Sequence, residues 1–207
     1  MRRDADAHAT PLAEAADALR EGRAIILFDA ERENEGDLAF PARACTADLV
    51  NLCLREARGL LCVALPSADA TRIGVERLPS NGRDPFGTPF GFPVSLRGHG
   101  SGIAASARAA TIRATADVRR DAAAFVVPGH VSTLLGHPEG FAARAGHTEA
   151  ILALLKSARI EGPGVLCEIL GQSGDVASLE DLRGLARRLG APLVSLSELR
   201  DWSPRSA

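Results

Sequence analysis

The sequence predicts an α/β (α+β) fold, a single domain whose mixed parallel and antiparallel sheet is flanked by helices. Three observations point there. Apolar residues at helical spacing alternate along the chain with short, continuous apolar runs of strand length. No internal repeat or clear linker interrupts that alternation, so one layered core serves all of it. The 207 residues are enough to bury a substantial core within the usual size of one domain.

Thr10 and Pro11 read as an N-cap and first helical position, Leu12, Ala15, Ala16 and Leu19 share one helical face, and Gly22 is the stop. Residues 1–10 are expected to be flexible. Ala24 to Phe28 reads as a strand and Leu38 to Phe40 as a second buried run. Thr46 opens a helix with Leu49, Val50, Cys53, Leu54 and Ala57 at helical spacing, and Leu60 to Leu65 is a fully buried strand. Prolines and glycines accumulate from Pro66 to Gly102, where irregular loops with short strands are expected. Ala104 to Ala116 is alanine-rich and helical, and 128–146 reads as a loop rich in Gly, Pro and His. Ala150, Ile151, Leu154, Leu155 and Ala158 restore helical spacing, Val165 to Leu170 is a strand, and Ser178 caps a helix carrying Leu182, Leu185, Ala186 and Leu189. Pro192 to Leu196 is the last strand.

Composition excludes several classes of function. Apolar residues make up 46% of the chain, yet no apolar run approaches the roughly 20 residues that span a bilayer, so no membrane partner is expected. Met1 to His8 carries two arginines without the apolar run of a secretory signal, and a cytoplasmic location is expected. With 24 basic against 26 acidic residues and only 4% aromatics, the chain lacks both the basic excess and the stacking residues of a nucleic-acid binder. Cys45, Cys53, Cys62 and Cys167 show no CxxC spacing and fall mostly in apolar segments, so they read as buried thiols.

The unusual stretch is Arg32 to Asp37, RENEGD, where Glu31, Glu33, Glu35 and Asp37 crowd between two buried runs. In an extended chain these four carboxylates share one side. Like charges about 7 Å apart at an effective dielectric of about 20 repel by roughly 2 kcal/mol, so the cluster requires a cation, a proton or bulk water. Bulk water is enough for an isolated hairpin tip; three further stretches argue for more. Pro128–Gly129–His130 places a histidine after two residues that restrict the backbone. Arg144, Ala145, Gly146, His147 and Thr148 precede or open a helix, where free N–H groups and the dipole favour an anion such as phosphate. Glu168 ends a buried strand, where a carboxyl is partly desolvated, as a general acid or base requires. Together these groups suit enolisation of a phosphorylated keto-sugar with a hard divalent ion polarising the carbonyl. His99 and His137 lie in looser, Gly-rich surroundings and are read as structural.

Five blocks, Arg32–Asp37, Gly59–Cys62, Pro128–Val131, Ala145–Ala150 and Gly164–Glu168, occur in the order and approximate spacing of the 3,4-dihydroxy-2-butanone 4-phosphate synthase family, which the chain resembles from about Leu12 to Leu199. The resemblance implies a lyase of riboflavin biosynthesis that converts ribulose 5-phosphate to dihydroxybutanone phosphate and formate. It also implies Mg²⁺ or Mn²⁺ and a homodimer with active sites near the subunit interface. Residue by residue, it makes Glu33 and His147 the metal pair, Arg32, Glu33, Asp37, Glu168 and Thr111 substrate contacts, and Arg144 to Thr148 the phosphate site. His130 and Glu168 become the acid–base residues, with Cys62 at the active-site edge.

The departures lie around the expected substrate pocket. Phe28 replaces an aspartate four residues before the arginine, Ala107 an acid, Ala110 a hydroxyl, and Val127 the arginine or threonine before Pro-Gly-His. They leave two other readings open: a diverged paralogue acting on another phosphosugar or ketose, and a non-catalytic sugar-phosphate binder. Loss of the acids at positions 28 and 107 and of the hydroxyl at 110 predicts a pocket less polar and less negative than the family's.

Overall fold

The computed structural model describes residues 11–201; the Thr10 cap and the flexibility expected of 1–10 lie outside the described residues. A seven-stranded sheet runs in the order β4-β5-β3-β6-β2-β1-β7. Its strands are β1 (Ile25–Asp29), β2 (Glu35–Pro41), β3 (Arg58–Leu65), β4 (Phe90–Leu96), β5 (Phe125–Leu135), β6 (Gly164–Ile169) and β7 (Leu193–Ser195). Pairing is mixed, as expected: β3 is parallel to β5 and β1 to β7, while β1–β2, β2–β6, β3–β6 and β4–β5 are antiparallel.

Helices cover both faces. On one lie α2 (Ala47–Leu52), α3 (Ser67–Ile73), α4 (Ala105–Thr115) and α6 (Leu179–Leu189), packed on Phe28, Leu38, Phe40, Val63 and Cys167. On the other lie α1 (Pro11–Arg20), α5 (His147–Ser157) and α7 (Leu196–Asp201), packed on Leu27, Ala39, Cys62, Leu134 and Leu166. Side chains such as Phe40, Leu27 and Leu65 are fully enclosed, each contributing about 1.5–3 kcal/mol by leaving water. All four cysteines are free and buried, as their apolar settings suggest.

The local signals work where they are strong. Ser178 caps α6 in a reciprocal box with Asp181, and Thr46 accepts from the Leu49 N–H at the start of α2. The helix from Thr46 does not run regularly to Ala57: it widens into a π turn over Cys53–Ala57 and ends at Arg58, whose φ is 70°. Two expectations fail. The Pro66 to Gly102 region contains α3, seven residues long, as well as β4. The supposed loop from 128 is the middle of β5, an eleven-residue strand, and the loop begins only after Leu135. Proline and glycine fit there because β4 and β5 lose register between Val94 and Ser95. At Gly129 a Cβ would lie 2.1 Å from the Ser95 nitrogen, so the two backbones touch where only glycine fits.

Candidate active site

Strand pairing builds the acidic wall. Asp37 on β2 stands opposite Glu168 on β6, and Glu35 opposite Asp29 on β1. Alternation puts these side chains on the face that α5 covers. The extended reading of the whole cluster needs correction, since only Glu35 and Asp37 belong to β2. Glu31 and Glu33 sit in the turn between β1 and β2, and Glu31 pairs with exposed Arg200 at 2.8 Å. Phe28 points to the opposite face, into the core beside Leu38 and Phe40. It therefore removes no charge from the site, contrary to expectation.

The amino end of α5 closes over this wall and leaves a cavity of about 160 Å³. Glu33, Glu35, Asp37, Cys62, Arg144, His147, Thr148 and Glu168 supply its polar lining, and Phe86, Thr88, Phe90, Leu134 and Leu166 complete it. His147 Nδ1 lies 3.5 Å from Glu33 Oε2 and 3.8 Å from Asp37 Oδ2. His147 Nε2 and Asp37 Oδ1 are buried without a partner. Burial, reinforced by Glu168, Glu35 and Glu33 and opposed by His147, pushes the Asp37 carboxyl up to about 7. Burial and the neighbouring Glu168 and Glu33 raise Glu35 as well. Burial opposes charging of His147, but Asp37, Glu33 and Asp29 together outweigh it and carry the imidazole up to about 9.

Hard carboxylate oxygens with one imidazole fit Mg²⁺ or Mn²⁺, and the orphaned Nε2 and Oδ1 are free to accept such an ion. Glu33 and His147 could hold it. Among the described residues no group of three or more His, Cys, Asp or Glu side chains forms a ready cation cage.

The part of the cavity at the start of α5 is built differently. Gly146 is the N-cap of α5 and offers no side-chain cap, so the first helical N–H groups remain available to an anion. Arg144 Nη1 donates to Glu149 Oε2 at 2.7 Å, and the other Glu149 oxygen accepts the His137 N–H at 3.0 Å. Glu149 is only 1% exposed, a buried anchor for the arginine that sequence reasoning passed over although it stands inside the 145–150 block. Arg32 bridges the rim: its guanidinium donates to the carbonyls of Ala145 and Phe86 at 3.4 and 3.3 Å. Ala145 and Gly146 form the entry to α5, and neither lines the cavity.

Glu168 is half-buried, and its Oε2 accepts the Leu60 N–H at 3.2 Å. Gly59 makes that approach possible, since a Cβ there would sit 2.3 Å from the Glu168 carbonyl oxygen. Cys62 forms part of the wall; burial, with Glu168 and Asp37 nearby, holds its thiol protonated far above its ordinary value, unlike a nucleophile. His130 is not part of this cavity. It stands exposed on β5, with its N–H donated to Ser95 Oγ at 2.9 Å and Nδ1 3.5 Å from the same hydroxyl. Thr111 departs from expectation. It is fully buried on α4, donates to the Ala107 carbonyl and accepts the Leu96 N–H, both at 2.9 Å, so its hydroxyl ties α4 to β4.

Residues 13–202 match the family model described as 3,4-dihydroxy-2-butanone 4-phosphate synthase. The chain belongs to that family. It is similar to the 3,4-dihydroxy-2-butanone 4-phosphate synthase of Rhodospirillum rubrum, with 37% identity over 89% of this chain and 87% of the relative. It is also similar to the riboflavin biosynthesis protein RibBA of Rhodococcus jostii, with 40% identity over 87% of this chain and 44% of that longer protein. Several of the curated relatives it matches are thus about twice the length of the matching segment. Among solved structures, the two-domain synthase RibBX of A. baumannii superposes with a TM-score of 0.87 at 31% identity, covering 92% of this chain and 56% of that one. A 3,4-dihydroxy-2-butanone 4-phosphate synthase in complex with two magnesium ions superposes with a TM-score of 0.83 at 27% identity, covering 89% and 92%. The synthase family match spans every charged side chain of the cavity.

Proposed function

We propose that this chain is a divalent-metal-dependent lyase of riboflavin biosynthesis, converting ribulose 5-phosphate to 3,4-dihydroxy-2-butanone 4-phosphate and formate. The observation that carries this reading is one cavity lined both by a phosphate-ready helix start and by an unsatisfied carboxylate–imidazole wall. Arg144, Thr148 and the first N–H groups of α5 bind the phosphate. Glu33 and His147 hold Mg²⁺ or Mn²⁺, which, when bound, polarises the ketone and lowers the barrier to losing the adjacent proton. Asp37 and Glu168 fix the sugar hydroxyls, and Glu168 takes and returns protons through enolisation, loss of water, rearrangement, re-addition of one water and release of one carbon as formate. Phe86, Phe90, Leu134 and Leu166 keep water from the enolised sugar. Arg32 acts through the rim, joining the Phe86 turn to the start of α5.

His130 completes the acid–base pair from a second copy. This homodimer reading is supported by the exposure of His130 beside exposed Val126 and Val127, with Gly102 against the ring and exposed Ile103 next along the chain. Exposed apolar side chains flanking a histidine in this way favour an interface. The location proposed is the cytoplasm; among the described residues no helix is long and apolar enough to cross a membrane. Incubation with ribulose 5-phosphate and Mg²⁺, followed by formate assay, tests the function. Stoichiometric formate supports it. Proton exchange on a ketose without formate would favour the diverged paralogue, and neither reaction would favour the silent binder.

A further inference from the structure

Asp29 belongs to none of the substrate or metal contacts drawn from the resemblance, yet it ends β1 on the cavity face, directly across from Glu35. It is only 3% exposed. One carboxylate oxygen accepts two backbone donors, the Glu31 N–H at 3.0 Å and the Arg32 N–H at 3.1 Å. These bonds shape the turn that carries Glu33, in which Asn34 has a φ of 52°. The second oxygen is buried with no partner.

A turn cap alone explains half of this. Asn and Ser cap such turns as well as Asp does, and neither brings a charge. An unpartnered buried acceptor is costly, more so when ionised, and here it is placed beside Glu35 within the field of His147. Repulsion of that kind has a physical use where a cation arrives. Mg²⁺ retains waters whose protons need acceptors, and carboxylates just outside the ligand set commonly take them.

We infer that Asp29 is a positioning residue for the cation end of the cavity: one oxygen fixes the turn that presents Glu33, and the free oxygen supplies a second, outer layer of negative charge. The inference rests on the metal reading under Proposed function. It also fits the core position of Phe28, because the acid on the α5 side of the sheet at this end of β1 is the next residue.

The test is calorimetric titration of Mg²⁺ into the parent, Asp29→Asn and Asp29→Ser, with thermal melting of each. Both variants keep an acceptor for the turn and lose the charge. The expected result is a melting midpoint at or above the parent's, with Mg²⁺ bound about tenfold or more weakly. A folded variant with parental affinity would reduce Asp29 to a cap and overturn the inference while leaving the metal reading intact. Collapse of both variants would overturn it too, since the charge would then serve the fold. A parent that binds no Mg²⁺ would instead defeat the metal reading itself.

Discussion

The two ends of the cavity solve opposite electrostatic problems. At the start of α5, Arg144 is already paired with buried Glu149, whose other oxygen is also bonded, so this end is assembled before any ligand arrives. At the β2–β6 end, Glu33, Glu35, Asp37 and Glu168 gather around one imidazole, leaving Asp37 Oδ1 and His147 Nε2 unsatisfied. The first region gains stability from its charges. The second gives stability up, and a compact protein retains such a cluster only where something positive repays it.

The difference is sharpest under mutation. Arg144→Ala should be the most damaging change, because it strands a buried carboxylate; removing one partner of a buried pair costs roughly 3–5 kcal/mol. Denaturant melts should show that loss, together with weaker binding of phosphorylated ligands and little change for unphosphorylated analogues. An unchanged melt would mean that Glu149 finds another partner and that the two ends are not so different.

Glu33→Gln should do the reverse, leaving the fold intact while lowering Mg²⁺ affinity about 10- to 100-fold, since a neutral amide is a poor ligand for a hard cation. Calorimetry measures this directly. Unchanged affinity would make the turn a merely solvated tip.

The acidic end should also set the pH response of the metal-free protein. Asp37, raised from 3.8 to about 7, holds a proton in the folded state that the unfolded chain has lost. Stability therefore falls as pH rises between those values. His147, raised from 6.5 to about 9, contributes stability that is complete below 6.5 and lost as pH climbs through about 9. Both slopes have the same sign, so the melting midpoint should decline from mildly acid to mildly alkaline pH. A midpoint rising with pH over that range would contradict the assignment. The smallest effect expected is from Glu35→Gln, which removes one carboxylate from a repelling set and should raise the metal-free midpoint by about 1 °C, a few tenths of a kcal/mol.

How legible all this was depended on the range of the signal. Helical periodicity identified α5 and α6, and the motif blocks marked Glu33, His147, Arg144, Thr148 and Glu168, which the fold gathers around one cavity. Signals that depend on a neighbour were misread. Pro128 and Gly129 looked like loop residues because the strand accepting them, β4, is distant in sequence, and only its backbone contact explains the glycine. Phe28 looked like a lost pocket charge until strand alternation turned it into the core. Thr111 looked like a ligand contact, but its hydroxyl is spent on Ala107 and Leu96. Phe86, Thr88 and Phe90 came from an irregular stretch with no periodicity to assign them. Glu35 was named in the acidic cluster without a role of its own, and Asp29 could have been found, because it lies two residues after Leu27 on the α5 side of its own strand.

The most direct test of the contrast between the two ends is the melting midpoint of the parent with and without Mg²⁺ at mildly acid and mildly alkaline pH. A ligand that binds only the folded state raises stability by RT ln(1 + [L]/Kd). On the metal reading proposed above, the ion needs His147 neutral and gains from an ionised Asp37 beside it, so the stabilisation must grow with pH. The predicted result is a small shift at about pH 6 and a larger one at about pH 8, which offsets the alkaline decline of the metal-free protein. Equal shifts at both pH values, or none with saturating Mg²⁺, would contradict the claim that the acidic end is built for a cation.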